Sequence, residues 1–310
     1  MLPDEMREIR ALTDRMRAVF DAAGYGELYT PALEYERTFG AGADSPNPAY
    51  RLFDEHGDVL VLRSDMTVPI ARVAGTRYAH ADLPLRFSYL AHSYRGVRPQ
   101  RGQSREFLQA GVELLGAPAP HGTAEVLTVL CDALDAAGLR DFRVGLGSVK
   151  LYPSLLASYG VPPAQVDRVL AHLAVGNFVG LDEELATLAL DPDALATLRR
   201  VPRMRGGPEL LDDLPGPVYD AGAGLRSIVP LLPARTASRI LFDLGLVKSI
   251  GYYTGAVFQV YDPSFGEPLG GGGRYDDLLG RFGRPLPAVG FALNVERVHI
   301  ALTSEEHDRA

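Results

Sequence analysis

The chain opens on a helical period. Met6, Ile9, Leu12, Met16, Val19 and Phe20 fall on one stripe over residues 4–23, and Gly24 ends it. The pattern then turns strand-like. Tyr25 to Pro31 predicts a short strand entering a proline, which suits either a dimer seam or an edge strand. After a Gly/Ala/Asp/Ser/Pro/Asn loop over 41–49, Arg51–Asp54 and Val59–Leu62 predict a hairpin turning at His56-Gly57. Leu85–Tyr94 and Glu106–Leu115 predict two longer strands. In the second, Phe107, Gln109, Gly111 and Glu113 share one face, while Leu108, Ala110 and Val112 point the other way. A helix capped by Thr123 runs to about Ala137, and Phe142–Gly147 predicts another strand. From 155 to 225 short helical stripes such as Val166, Val169, Leu170 and Leu173 predict a small helical insertion. Ala234–Leu244 predicts one more helix. Ala288–Arg297 reads as a strand turning into a final helix.

The densest signals lie between Leu246 and Arg297. Gly251-Tyr-Tyr-Thr-Gly255 leads into the alternating run Val257–Tyr261, and Gly270–Gly273 is closed by Arg274-Tyr275-Asp276-Asp277. Glycines let a ligand approach the backbone, and tyrosines offer flat faces and hydroxyls, so the stretch suits a pocket wall. An antiparallel hairpin with a glycine-rich turn accounts for the same residues. Upstream, Arg63-Ser-Asp65-Met-Thr67 places polar groups at a strand end, where they either face a pocket or cap the next helix. Arg95, Arg98, Arg101 and Arg105 crowd one loop. Such arginines suit a carboxylate or phosphate, and equally a solvated loop.

Composition narrows the picture. The 310 residues are 46% hydrophobic with a formal net charge of −8, which argues against non-specific nucleic-acid binding as the main task. No apolar run is long enough to span a bilayer, and no signal peptide opens the chain, so a cytoplasmic location is expected. The one cysteine, Cys131, sits in an apolar helical run and reads as an inert buried thiol. The seven histidines are scattered, so neither a metal nor a cofactor is expected.

Taken in order, these blocks resemble the catalytic core of histidyl-tRNA synthetase. Tyr25–Pro31 resembles motif 1, the dimer-interface strand. Tyr94-Arg95 through Gln109-Ala-Gly-Val-Glu113 resembles motif 2, Gly290–Arg297 resembles motif 3, and Gly251–Gly255 and Gly272–Asp276 resemble the two histidine-specific motifs. The resemblance implies an α+β fold of the class II aminoacyl-tRNA synthetase type, with an antiparallel sheet flanked by helices. It places the core at 1–305, the helical insertion at 155–225 and a tail at 306–310. It also implies a histidine site built from Asp65, Thr67, Arg95, Gln109, Glu113, Lys248, Tyr252, Tyr253 and Tyr275, and a residual nucleotide site at Arg95, Arg105 and Arg297.

The departures carry their own implication. Lys248 stands where the synthetases place an arginine on the substrate carboxylate, Gly251 replaces an aspartate, and Val97 replaces a glutamate near ATP. Lysine keeps the charge and loses the planar fork. No anticodon-binding domain is expected after motif 3, and tRNA binding is not expected. This combination, with Arg63-Ser-Asp-Met-Thr67, resembles the regulatory subunits of ATP phosphoribosyltransferase. That resemblance implies a non-catalytic chain that forms a homodimer and joins the short-form catalytic subunit in a hetero-octamer. The assembly would catalyse the first step of histidine biosynthesis under feedback by histidine. A minimal histidine-activating enzyme and a stand-alone histidine-sensing module are the alternatives.

Overall fold

In the computed structural model, which describes residues 1–39, 49–96, 104–212, 214, 216–246 and 251–307, the first helix, α1 (Pro3–Ala22), buries the predicted stripe. Ile9, Leu12, Met16 and Phe20 all face the core. Gly24 adopts φ +80°, the left-handed conformation that lets the chain leave the helix. There follow β1 (Gly26–Glu27), β2 (Leu33–Tyr35), α2 (Glu36–Phe39), β3 (Arg51–Phe53), β4 (Val59–Leu62) and α3 (Thr67–Thr76). β2, β4 and β3 make a small antiparallel sheet, with the predicted turn at Gly57.

The main sheet takes β5 (Leu85–Tyr94), β6 (Glu106–Leu115), β7 (Arg143–Ser148), β8 (Arg205–Gly206), β9 (Ile240–Asp243), β10 (Ala256–Asp262), β11 (Phe265–Arg274) and β12 (Ala288–Asn294). Its nine strands run in the order β1-β5-β6-β12-β11-β10-β7-β9-β8. Most pairings are antiparallel, as expected of the class II core. β1–β5 and β7–β9 are parallel, so the sheet is mixed towards both ends.

Helix α4 (His121–Ala137) packs with α1 on one face of the sheet. There Val112, Leu114, Phe258, Phe291 and Leu293 join the helical residues Phe20, Leu127, Leu130 and Leu134 in one core, and Phe20 meets Phe291 edge-on at 5.9 Å. Cys131 lies inside this core, and burial pushes its thiol up to about 12, so it is not poised as a thiolate. Between β7 and β9 come α5 (Leu151–Ser158), α6 (Pro163–Ala174), α7 (Phe178–Ala186), α8 (Pro192–Arg200), α9 (Glu209–Asp212), α10 (Gly216–Ala221), α11 (Ala223–Arg226) and α12 (Ala234–Ala237). The last helix, α13 (Val295–His307), follows β12 directly.

Three expectations change. The helix expected over Ala234–Leu244 is a single turn, α12, followed by strand β9. Ile240–Asp243 pairs with β7 and β8, and tertiary pairing overrides the apolar run's helical spacing. Gly270–Gly273 is not a turn: it lies inside β11, paired on both sides. Thr123 does not cap α4, which starts at His121; it is buried, and Arg274 Nη1 lies 3.4 Å from its hydroxyl.

Candidate ligand-binding site

On the face of the sheet opposite α1 and α4, many of the positions are glycine or alanine. Register places Phe87, Glu113, Gly290, Gly273, Val257 and Gly147 on one rung across β5, β6, β12, β11, β10 and β7. The next rung reads Tyr89, Gly111, Ala292, Gly271, Gln259 and Gly145. Glycine or alanine thus fills most central positions. The glycines are required where groups approach from above. A Cβ on Gly273 would lie 2.8 Å from the Tyr253 ring, and one on Gly290 would overlap Glu113 Oε2.

Glu113 is the centre of the site. Its side chain rises from β6 and is 1% exposed. Tyr275 donates its hydroxyl to Oε2, and Thr67 donates to Oε1 at 2.7 Å. No cation pairs with it among the described residues. Burial pushes its carboxyl up to about 8, against the two hydroxyl donors that favour the charged form. Asp65, which adds to the rise, accepts from Val68 N at 3.1 Å and from Ser64 Oγ at 3.2 Å. Asp65 therefore does cap the start of α3 as well as contribute negative potential to the site.

The tyrosines close the walls. Tyr252 meets Tyr253 at 5.0 Å and Tyr275 at 5.8 Å, both edge-on. Burial raises all three phenols well above their ordinary value, so they remain neutral donors. Gln109 is buried four residues before Glu113 on the same face of β6, and its Oε1 accepts from Ser93 Oγ at 2.6 Å. That bond orients the amide so that its NH₂ remains to donate elsewhere.

The arginines divide. Arg95 donates from Nε to Ser64 O at 3.2 Å and lies 5.0 Å over the Phe107 ring, which anchors it beside the Asp65 segment. Arg105 is exposed. Arg297 donates to Pro268 O at 2.7 Å, pairs with Glu267 and lies 6.0 Å over Phe265. No hydrogen bond or ring contact among the described residues joins Arg297 to Arg95 or to the tyrosines. Val97, Arg98, Arg101 and Lys248 lie outside the described residues.

Tyr89 escaped the sequence reading, and Arg63, read there as part of the run to Thr67, has a structural role. Tyr89 is buried on the second rung and donates to Phe291 O at 3.2 Å, propping the floor. Arg63, 2% exposed, donates to His92 O at 2.8 Å and also to Thr30 O and Pro31 O, tying the Thr30–Pro31 segment to β5. The apolar–polar alternation of β5 is the signal that could have exposed Tyr89.

A mixed sheet with a glycine-rich face, a buried glutamate and converging tyrosines defines a histidyl-tRNA synthetase-like class II protein. The profile of the family described as histidyl-tRNA synthetase matches residues 1–298. Within that fold the chain belongs to the family of ATP phosphoribosyltransferase regulatory subunits. It is 40% identical over 308 residues to the protein of that name from Symbiobacterium thermophilum, covering 97% of this chain and 77% of the relative. It is 39% identical over 310 residues to the one from Moorella thermoacetica, covering 97% and 79%. A crystal structure described as an ATP phosphoribosyltransferase regulatory subunit/histidyl-tRNA synthetase from Bacillus halodurans superposes with a TM-score of 0.90 at 33% identity, covering 97% of this chain and 80% of that one. No helix among the described residues is long and apolar enough to cross a membrane.

Proposed function

We propose that this chain is a non-catalytic regulatory subunit that binds free histidine in the pocket over Glu113 and works with a short-form ATP phosphoribosyltransferase in the first step of histidine biosynthesis. One observation carries the histidine reading. Glu113 is buried, oriented by two hydroxyls and unpaired with any cation among the described residues. Such a group favours a ligand that brings its own N–H donor or positive charge, and an imidazole does both. Asp65 and Thr67 flank it, Gln109 supplies a further polar group, and Tyr252, Tyr253 and Tyr275 supply the walls. Arg95 and Lys248 are the groups assigned to the ligand carboxylate. Arg297, held by Glu267, and exposed Arg105 make the residual nucleotide site a weak one.

Assembly as a homodimer is part of the proposal. Tyr29 is 75% exposed and Phe53 is 74% exposed, with Leu33, Tyr35 and Leu52 also exposed on the neighbouring strands. An apolar surface of this kind favours a partner.

Three measurements test the reading together. Calorimetry should show histidine binding that Glu113→Ala abolishes. Histidine-dependent ATP–pyrophosphate exchange should be absent; robust exchange would favour the histidine-activating enzyme instead. The activity of a short-form catalytic subunit should depend on this chain and should fall as histidine is titrated. A catalytic subunit indifferent to this chain would overturn the regulatory reading.

A further inference from the structure

Behind the tyrosine walls lies a second cavity of about 620 Å³, within the range of small-ligand pockets. The sheet supplies Thr254, Gly255, Ala256, Arg274 and Asp276, and α5, α10 and α11 close the other side. None of these residues belongs to the Glu113 site. The two sites nevertheless share backbone. Tyr253 and Tyr275 serve the front, while their chain neighbours Thr254, Arg274 and Asp276 line the back.

The lining has a definite chemistry. Arg274, 3% exposed, is already satisfied: it pairs with Asp276 at 2.7 Å, donates to Ala117 O at 3.1 Å and approaches Thr123 Oγ1 at 3.4 Å. Two other charged groups line the same cavity without an ion-pair partner among the described residues. One is Lys150, which precedes α5. The other is Asp220, on α10. They do not pair with each other. Apolar groups line the same cavity, with Leu225, Ile228 and Ala256 all buried. Lys150 is one of two lysines in a chain with 31 Lys and Arg together. A cation and a carboxylate that line one cavity together with apolar groups complement a molecule with the same charges reversed.

We infer that this cavity binds a small zwitterion of the α-amino acid class, its carboxylate taken by Lys150, its ammonium by Asp220 and an apolar side chain seated on Leu225 and Ile228. Occupancy is transmitted forward by a backbone latch. Thr254 N donates to Arg274 O at 2.7 Å, and Asp276 N donates to Thr254 Oγ1 at 2.9 Å, so the segments carrying Tyr253 and Tyr275 move together. The binding claim stands without the histidine reading; only the coupling rests on it.

The test uses the full chain labelled with 3-fluorotyrosine. Alanine, valine, leucine, methionine and phenylalanine are titrated by calorimetry and ¹⁹F NMR. Isopentylamine and 4-methylpentanoate, which each carry one of leucine's charges, serve as controls. At least one of the amino acids should bind, with each single-charge analogue about tenfold or more weaker. Lys150→Ala and Asp220→Asn should each weaken binding by a similar factor; both residues are exposed, so the fold should survive, as a melting curve checks. Glu113→Gln should leave this binding intact while removing histidine binding at the front. Failure of all five amino acids, binding indifferent to Lys150→Ala and Asp220→Asn, or equal binding of 4-methylpentanoate overturns the zwitterion site. Bound amino acid with an unmoved ¹⁹F spectrum and unchanged histidine affinity overturns the coupling. Absent histidine binding with the back cavity still filling overturns the front-site reading alone.

Discussion

Gly290 stands directly opposite Glu113 across the β6–β12 pair, and the missing side chain of Gly290 is what gives the Glu113 carboxylate its room. Gly290→Ala should therefore act on the site from a strand that contributes no functional group. The new methyl would displace Oε2 and break the Tyr275 contact. A loss of about 1–3 kcal/mol of stability is expected, typical of overpacking. Histidine affinity should drop by more than tenfold. Chemical denaturation and calorimetry measure the two effects, and unchanged histidine affinity in a folded Gly290→Ala protein would count against Glu113 as the ligand's anchor.

The raised carboxyl of Glu113 has a signed consequence. Its ordinary value is 4.5, and in the folded chain it lies near 8. Between those values the folded state holds a proton that the unfolded chain has released. This group therefore favours folding least at high pH: its contribution is unpenalised below about 4.5 and is lost progressively as pH rises to about 8. Glu113→Gln mimics the protonated form and should remove that slope. Denaturation midpoints of parent and Glu113→Gln proteins, compared between pH 5 and 8, should converge at the acid end and diverge at the alkaline end. Parallel curves would mean that Glu113 ionises freely.

Asp276 is the partner that keeps buried Arg274 neutralised, and it also accepts from Ala288 N at 2.9 Å. Removing it leaves a buried cation with neutral acceptors. Asp276→Ala should cost about 3 kcal/mol of stability, in line with breaking other buried pairs. A double replacement, Arg274→Met with Asp276→Ala, should recover part of that loss. Urea unfolding of the two variants decides the matter: equal losses would show that the pair's charge is not what matters.

The proposed homodimer gives a surface prediction. A charge placed on the exposed apolar strand, Phe53→Asp, should shift the chain to monomer at micromolar concentration without lowering the monomer's helix content. Sedimentation velocity and circular dichroism read the two quantities. A dimer that persists would place the contact elsewhere.

Legibility along the chain followed period length. The stripe of α1 and the alternation of β6 were readable because twenty and ten residues repeat one period. The two faces of β6 sorted Gln109 and Glu113 correctly because alternation is rigid geometry. Ile240–Asp243 was not readable: four apolar-rich residues fit both periods, and only the neighbours β7 and β8 decide. The glycine run misled because glycine's local preference is for turns, whereas its place in β11 is set by what sits above the sheet. Asp65 kept both of its meanings, because a carboxylate beside a helix start can cap it and still project potential into a site. Tyr89 was missed because its role depends on a carbonyl some two hundred residues away in sequence.

The glycine-rich rungs of the sheet have a consequence for how such a cavity persists. A pocket carved by large side chains is lost when one of them shrinks. This one is held open by residues that are small, so it is threatened by growth: at Gly111, Gly273 or Gly290 the first added carbon already collides with a neighbour. Glycine inside a strand costs about 0.5–1 kcal/mol relative to alanine, so each of these positions sits under a standing pull towards filling in. The volume above the sheet is a space kept by omission, and its shape is written in the side chains the strands do not have.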